Sequence, residues 1–241
     1  MVLRRLAEAI RTQNWFTVLI ELVIVVVGIV LGIEVANWNE ERLERREEQA
    51  YLERLHADLE SAIVDVTQGR DGIRSWRTRA HETLFALIEN DPEAAADDTG
   101  FELQASTRIA LAEPQMATLH ELISAGNLGI ISNPDLRVAL SRLDARIKNL
   151  DGHNLILVPF AAENAVIIQS RLVPVEEVDT RTGGWHHRIG YDFDELAADR
   201  EFQNALGFAL RLQRANDSWL TQMVEELVRV RDLLEAELAV R

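Results

Sequence analysis

The spacing of apolar positions along this chain changes near residue 38. Between Phe16 and Ala36 most residues are apolar, and no polar side chain interrupts the block from Leu22 to Ile33. An α-helix rises about 1.5 Å per residue, so a helix over this segment would cross the ~30 Å hydrocarbon core of a bilayer once. The pattern predicts a single membrane-spanning helix over residues 16–36, preceded by a tail of residues 1–15.

Both ends of this segment carry the residues expected at a membrane surface. Trp15 and Trp38 lie where amphipathic indole rings prefer to sit, and Asn14 and Asn39 follow on the aqueous side. A cleaved signal peptide would have an apolar region of about 7–15 residues ending in small residues, whereas this segment is longer and carries Glu34 near its end. We therefore expect the helix to be retained, with Trp15 and Trp38 as interface anchors.

Beyond the exit from the membrane, apolar residues recur at spacings of three and four. The stripe comprises Leu52, Leu55, Leu59, Ile63, Val66, Ile73, Trp76, Ala80, Leu84 and Leu87. It predicts a helix of about 50 residues with its most probable kink at Gly69 and Gly72. No Pro or Gly separates Trp38 from Leu52, so the membrane helix is expected to continue into this helix as a stalk.

Turn-forming residues divide the middle of the chain. The stretch from Glu89 to Gly100 is predicted to be a loop by its Pro, Asp and Gly content, and Phe101 to Ala112 is interpreted as a short helix. Pro114 suits the first position of the next helix, and Gly126 suits its C-terminal cap. The glycines of residues 124–131 predict a tight corner between helices; an anion site near Asn133 is the alternative.

The next helix has a clear start. Asn133 is a suitable N-cap, Pro134 a first helical residue and Asp135 a first-turn acid; the pattern then continues toward Leu172 with a bend expected near Gly152 and Pro159. Residues 174–193 are predicted to form the longest irregular loop.

Helical spacing resumes after Asp194 or Asp199 and continues almost to Arg241. The stripe comprises Phe202, Leu206, Leu210, Leu220, Met223, Leu227, Val230, Leu234 and Leu238. We find no convincing alternating strand pattern. The fold class is therefore predicted to be all-α, with the single N-terminal transmembrane helix continuing into an antiparallel bundle of about four long helices over residues 37–241.

Charge and composition exclude several functions. The formal net charge of the 241 residues is −15. Such an acidic surface repels nucleic-acid phosphates, so we expect no nucleic-acid partner. The chain has no cysteine, which excludes disulfides, thiolate metal sites and a cysteine nucleophile. With 40 acidic residues, paired carboxylates carry no catalytic signal. The sequence has no phosphate-binding Gly-Lys-Ser loop, no Gly-x-Ser-x-Gly nucleophile elbow and no His-Glu-x-x-His helix.

One face of the membrane helix carries small residues and a carboxylate. Gly28, Gly32 and Ala36 recur every four residues, and at 100° per residue Glu21 lies about 20° from the line of Gly28, with Thr17 nearby. Small residues allow close packing of two helices in lipid, and a carboxylate facing lipid is costly. We interpret these residues as a helix-packing interface; the alternative is that the glycines are incidental and Glu21 reaches the membrane surface.

Histidines and buried amides are the remaining candidates for chemistry. His186 and His187, with Asp192 and Asp194 behind them, form the only local cluster of metal-ligand residue types, but their spacing matches no zinc motif. We interpret this segment as a surface loop docked through Trp185, and expect no metal and no cofactor. The other histidines, His56, His81, His120 and His153, are interpreted as ordinary surface or half-buried residues.

Polar Gln213 and Asn216 lie near the apolar stripe of the last helix. Buried amides at such positions often set the register between helices, and we favour this reading. A small ligand pocket inside the bundle is the alternative.

Several short motifs resemble those of one group of proteins. They are Gln13-Asn14-Trp15, Gly28 with Gly32, Ala36-Asn37-Trp38-Asn39-Glu40, Leu122 to Leu128, and Leu136-Arg137. The chain resembles uncharacterised bacterial inner-membrane proteins in which an N-terminal membrane helix ends in an Asn-Trp-Asn-Glu type motif and precedes a helical domain of unknown function. The resemblance implies a bacterial inner-membrane protein with an extracytoplasmic helical domain, and it supplies no catalytic residues.

Location and function follow as expectations. Arginines flank the membrane helix almost equally: Arg4, Arg5 and Arg11 before it, and Arg42, Arg45 and Arg46 after it. Large domains translocate largely regardless of charge, so we favour a cytoplasmic N-terminus and a periplasmic domain. We expect a non-enzymatic assembly or accessory protein that contacts lipid and binds itself or another integral membrane protein through anchor and stalk; the alternative is an extracytoplasmic ligand sensor that signals through a partner.

Overall fold

The computed structural model describes residues 15–95, 100–178 and 185–240. The chain divides into two units, Met1–Ala50 and Tyr51–Arg241. The elements, in chain order, are α1 (Trp15–Glu89), α2 (Gly100–Ala105), α3 (Ala117–Ser124), a 3₁₀ turn (Leu128–Ile130), α4 (Pro134–Gln169), β1 (Val173–Val178), β2 (Trp185–Gly190), α5 (Phe193–Ala198) and α6 (Arg200–Val240). The predicted tail lies outside the described residues except for Trp15.

One helix, α1, covers both the predicted membrane segment and the predicted stalk. It has 75 residues, and its helical hydrogen-bonding pattern is unbroken through Gly69 and Gly72. From Leu19 to Glu47 every side chain is exposed. From Tyr51 onward one face of the helix is buried at the predicted positions, beginning with Leu52 and Leu55. Helical spacing in the sequence was therefore sufficient to place both parts of this helix.

The second unit contains three long helices. Ion pairs join α1 to α6, with Glu60 bonded to Arg231 at 3.4 Å and Arg74 bonded to Asp217 at 2.7 Å. Rising numbers on α1 meet falling numbers on α6, so these two helices are antiparallel.

Contacts between α4 and α6 also pair rising residue numbers on one helix with falling numbers on the other. Arg146 donates to Gln222 at 2.6 Å, and the rings of Phe160 and Phe208 lie 6.2 Å apart. Helix α4 is thus antiparallel to α6 and runs in the same direction as the second part of α1.

The apolar residues of the second unit form two core clusters. One combines the Leu52–Val66 part of α1 with α3, the first half of α4 and the second half of α6. The other combines Ala80, Leu84 and Leu87 of α1 with the end of α4 and the first half of α6. Most of the stripe positions predicted from sequence are buried in one of these clusters, because helical spacing places them on a single face.

The prediction of about four long helices is wrong for residues 90–132. A helix from Phe101 to Ala112 was expected, but α2 ends at Ala105, and Pro114 is not at the first position of a helix because α3 begins at Ala117. In the described part of this range, two short helices, a 3₁₀ turn and irregular backbone occupy the place of the fourth helix. The cause is tertiary: side chains of α6 bind the backbone of this segment, which local helical spacing does not reveal.

The corner after α3 has the predicted glycine cap. Gly126 has a φ of +71°, a conformation that a residue without Cβ adopts at little cost. Its N–H donates to the carbonyl of Ile123 at 3.1 Å, and the N–H of Asn127 donates to that of Leu122 at 2.8 Å. This pair of bonds is the Schellman motif, which closes the helix and turns the chain toward the next one.

Helix α4 begins as predicted. The Asn133 side chain accepts hydrogen bonds from the N–H groups of Asp135 and Leu136, at 2.9 and 3.2 Å, and Pro134 is the first helical residue. Pro159 lies inside the helix, which ends at Gln169, three residues short of the expected limit.

Residues 174–193 were predicted to form an irregular loop, and the fold class was predicted to be all-α. The structure corrects both predictions, because this segment contains a two-stranded antiparallel hairpin. Strand β1 pairs with β2 from Val173 opposite Gly190 to Val178 opposite Trp185. Pro174 lowers the strand signal because proline lacks a donor for the sheet. Residues 179–184 lie outside the described structure. The fold is therefore mostly helical with one small hairpin.

Helix resumes at two aspartates, close to the predicted positions. Asp192 accepts from the N–H of Glu195 at 3.0 Å and begins α5. Asp199 accepts from the N–H of Phe202 at 3.0 Å, and its carboxylate also binds Arg171 at 3.0 Å. The backbone hydrogen bond from Phe202, together with the charge of Arg171, holds the pKa of Asp199 below its ordinary value.

Candidate interaction surfaces

The predicted packing face of α1 is exposed where the structure describes it. Glu21, Gly28, Gly32 and Ala36 are all exposed, and a Cβ atom added at either glycine would meet nothing within 4 Å. The helix is long and apolar enough to cross a membrane, with a mean hydropathy of 2.7 in its most apolar window. The side chain of Thr17 lies outside the described part of the structure.

The two predicted interface anchors are only partly described. Trp38 is exposed, and the Arg42 guanidinium lies 5.9 Å from the centre of its ring. An indole with a cation against its face suits the boundary between hydrocarbon and water. Trp15 begins α1, but its side chain lies outside the described residues.

The outer face of α4 carries a second apolar surface, which the sequence analysis did not identify. Leu155, Pro159, Ala162 and Val166 recur at spacings of four, three and four, so they lie along one line of the helix, and all four are exposed. Leu155 is 77% exposed and Val166 is 71% exposed. We call Leu155, Pro159, Ala162 and Val166, with the neighbouring Ile156, the α4 apolar face.

The same line of α4 is polar or small in its first half, at Ser141, Ala145, Lys148 and Gly152. The change occurs within one helix whose opposite side is buried throughout. A sequence signal was available: Glu163 is the only charged residue from 152 to 170. A helix that is apolar all round normally has a partner on each side.

A basic groove lies between α1 and α6. It has a cavity volume of about 140 Å³ and is lined by His81, Leu84, Gly207, Leu210, Arg211 and Arg214. A Cβ atom added at Gly207 would lie 3.7 Å from Nη1 of Arg211, whose guanidinium also lies 5.7 Å from the centre of the Phe208 ring. Within the described residues neither Arg211 nor Arg214 forms an ion pair, which leaves two positive charges beside the cavity.

Gln213 and Asn216 are buried, each about 1% exposed, and both bind the irregular segment after α2. The Gln213 side chain donates to the carbonyls of Ala105 and Arg108, at 3.1 and 2.9 Å. Asn216 accepts from the N–H of Ala110 at 3.1 Å and donates to its carbonyl at 3.3 Å. The amides thus fix the path of irregular backbone, a role that neither the register reading nor the pocket reading described.

For the two histidines of the hairpin the structure describes the backbone. His186 and His187 lie on β2, opposite Glu177 and Glu176, but their side chains are outside the described structure. Asp192 is occupied as a helix cap.

Among described residues, His56, Glu60 and Glu235 bring possible ligand atoms within 4.8 Å of one another. The Arg231 guanidinium bonds to Glu60 at 3.4 Å and lies 3.8 Å from Glu235. A positive charge is therefore already present where a metal ion would bind.

His153 is half-buried, as expected for an ordinary histidine. Its ring stacks on Trp219 with the ring centres 4.4 Å apart. Burial lowers the pKa of His153 below its ordinary value of 6.5, because the charged imidazolium is poorly solvated there.

An ion-pair network joins α1 to the middle of α6. Asp217 binds Arg74 at 2.7 Å and Arg77 at 3.3 Å. Burial raises the pKa of Asp217, but the hydrogen bond from Arg74 and the charge of Arg77 outweigh it, so the pKa lies below its ordinary value. The carboxylate remains ionised and ties the two helices together.

Comparison with known proteins gives one match. A family model described as a family of unknown function, DUF6090, matches residues 21–77. The match covers part of the predicted membrane segment, the Asn-Trp-Asn-Glu exit and the first turns of the folded unit. It agrees with the resemblance to an uncharacterised domain. No match was found among curated proteins or solved structures.

Proposed function

We propose that this protein is a membrane-anchored assembly or accessory protein that acts by binding a protein rather than by catalysis. The observation that carries the proposal is the continuity of α1, in which an exposed apolar segment and the first core helix of the folded unit are one helix. An anchor built in this way brings the folded unit to a membrane. The partner is a second copy or another integral membrane protein, bound through anchor and stalk.

The packing face of α1 supports this role. Glycines at 28 and 32 allow a second helix to approach closely, and dispersion between the backbones then stabilises the pair in lipid. The Glu21 carboxylate on the same side is costly against lipid and cheaper against a polar group of a partner. Thr17, Glu21, Gly28, Gly32 and Ala36 are accordingly the proposed interface, with Trp15 and Trp38 holding the depth of the helix.

The proposed location is the bacterial inner membrane, with a cytoplasmic N-terminus and a periplasmic folded unit. The net charge of −15 disfavours contact of the folded unit with anionic headgroups or nucleic acid. Enzymatic activity is not part of the proposal, which rests on exposed surfaces for binding another protein.

Cysteine crosslinking tests the packing face, since the natural chain has no cysteine. Ile24 lies about 40° from Gly28 around the helix, whereas Val30 lies about 160° away. In native membranes Ile24→Cys should form disulfide-linked products far more efficiently than Val30→Cys. Equal yields from the two positions would contradict the proposed interface.

Extraction in a mild detergent followed by mass spectrometry identifies the partner. Stoichiometric recovery with one membrane complex, or as a homo-oligomer, supports the accessory function. A lone monomer whose unfolding temperature rises with phosphate or succinate would instead support the second candidate, an extracytoplasmic ligand sensor. The basic groove favours that candidate, because Arg211 and Arg214 match the charge of a small oxyanion and about 140 Å³ accommodates one.

A further inference from the structure

We propose that the α4 apolar face binds the same face of a second copy of this chain. The inference deepens the proposed function and rests on it, since it names the partner of the folded unit. It depends on the exposed residues of α4 outside the predicted membrane segment, and therefore on different atoms from the packing face of α1.

The exposed area is sufficient for a weak specific interface. Leu155 and Val166 are exposed by more than two thirds and Ile156 by 62%, and Pro159 and Ala162 between them are also exposed. Burying these side chains would remove on the order of 500 Å² per copy from water, so a symmetric pair would reach about 1,000 Å², the lower limit for a specific interface. Such a pair gains further from tethering of both copies to one membrane, which raises their effective concentration.

The order of side-chain sizes along the α4 apolar face allows it to pack against the same face of a second copy. Leu155 and Val166 are large, whereas Pro159 and Ala162 between them are smaller. The order large, small, small, large is the same from either end, so the face matches itself in either relative direction. Small residues at the centre let two helices approach while the larger ones pack around them. A self-matching surface is the requirement for a two-fold symmetric contact.

Charge favours a protein partner over the membrane surface. Glu163 is the only charged residue between positions 152 and 170, so two copies bring little repulsion into the contact. The flanking basic residues are already paired, Lys148 with Asp144 at 2.7 Å and Arg171 with Asp199 at 3.0 Å. Helices that lie on membranes instead carry many Lys and Arg residues available for lipid headgroups.

A single cysteine at the centre of the face tests the contact in the full-length chain. Ala162→Cys in native membranes should give a disulfide-linked homodimer on mild oxidation. Adding Leu155→Glu and Val166→Glu should reduce the crosslinked fraction by at least about tenfold, because two carboxylates would be buried in an apolar contact. Both positions are exposed in the single chain, so circular dichroism should show unchanged helix content.

The matched control is Ala145→Glu, which places the same charge on the same line of α4 in its polar half. This variant should retain the Ala162→Cys crosslink. The proposal is overturned if Ala162→Cys gives no homodimer, if it crosslinks to a different protein, or if the two glutamates leave the homodimer unchanged. Crosslinking of Ile24→Cys in parallel membranes separates the two proposals, since it reports the α1 interface whether or not α4 contributes.

Discussion

At the scale of single residues, two amides decide the path of an irregular segment. Irregular backbone follows α2, and Gln213 and Asn216 bind it at Arg108 and Ala110 and also bind Ala105, the last residue of that helix. An unpaired buried carbonyl or N–H costs about 1–3 kcal/mol, so these side chains stabilise a conformation that the segment would not adopt alone. The Oε1 atom of Gln213 has no partner among the described residues, which reduces the net gain.

Replacing Gln213 tests this role. Gln213→Ala removes the side-chain donor to the carbonyl of Arg108 and one of the two donors to that of Ala105, and it opens a small cavity, so the free energy of unfolding should fall by about 2–4 kcal/mol. Urea unfolding of the full chain in detergent, followed by circular dichroism, measures it. Asn204→Ala on the exposed side of α6 should change stability by less than about 0.5 kcal/mol. A loss for Gln213→Ala no larger than for this control would contradict the account.

At the scale of secondary-structure elements, one close approach positions the hairpin. A Cβ atom added at Gly100, the first residue of α2, would lie 1.8 Å from the carbonyl oxygen of Ile189 on β2. The obstruction is backbone, which cannot move aside as a flexible side chain could. The absence of a side chain at Gly100 therefore permits the contact between α2 and the hairpin.

Substitution at Gly100 should separate these two elements. Gly100→Ala forces the hairpin away from α2, so limited proteolysis should cleave residues 173–190 several-fold faster than in the natural chain. Gly152→Ala is the matched control, because a Cβ there meets nothing within 4 Å and alanine favours helix by up to about 1 kcal/mol. Unchanged proteolysis of Gly100→Ala would show that the close contact does not hold the hairpin.

At the scale of the whole molecule, the net charge of −15 means that acidic side chains repel one another unless basic side chains lie beside them. Several arginines of the folded unit bond acidic residues on another helix, and the network of Arg74 and Arg77 around Asp217 joins α1 to α6. A partly buried carboxylate with two basic neighbours contributes more than an exposed pair, because solvent screens it less.

Acidification should weaken this tie. The pKa of Asp217 is lower in the folded chain than its ordinary value of 3.8, so its contribution is fully present above that value and is lost as the pH falls through the folded pKa. Asp217→Asn should cost about 1–2 kcal/mol at pH 7 and progressively less below pH 4. Thermal unfolding of both proteins from pH 7 to pH 3 measures the difference. For the exposed control Asp65→Asn we expect a small change in stability at every pH. A loss of stability for Asp217→Asn that is the same at pH 7 and pH 3 would contradict the proposed dependence on ionisation of Asp217.

Local sequence chemistry predicts the long helices and several of their ends, because periodicity and capping depend on neighbouring residues. The apolar segment of α1, the three-four stripes of α1 and α6, the Asn133 cap and the Gly126 turn each depend on neighbours within a few residues. The structure has all four features. The exposed apolar segment of α1 and its glycine face follow from the sequence for the same reason.

Only the tertiary structure decided what depends on distant residues. The bonds of Gln213 and Asn216 span more than 100 positions, and they replace the expected fourth helix with irregular backbone. The two strands of the hairpin are held by hydrogen bonds to each other. The sequence gives little sign of these strands, because β1 contains a proline and apolar and polar residues alternate only weakly. Burial also selects which side of a mostly apolar segment stays exposed: residues 152–170 have apolar residues on more than one side of the helix, and the line from Leu155 to Val166 is the exposed one.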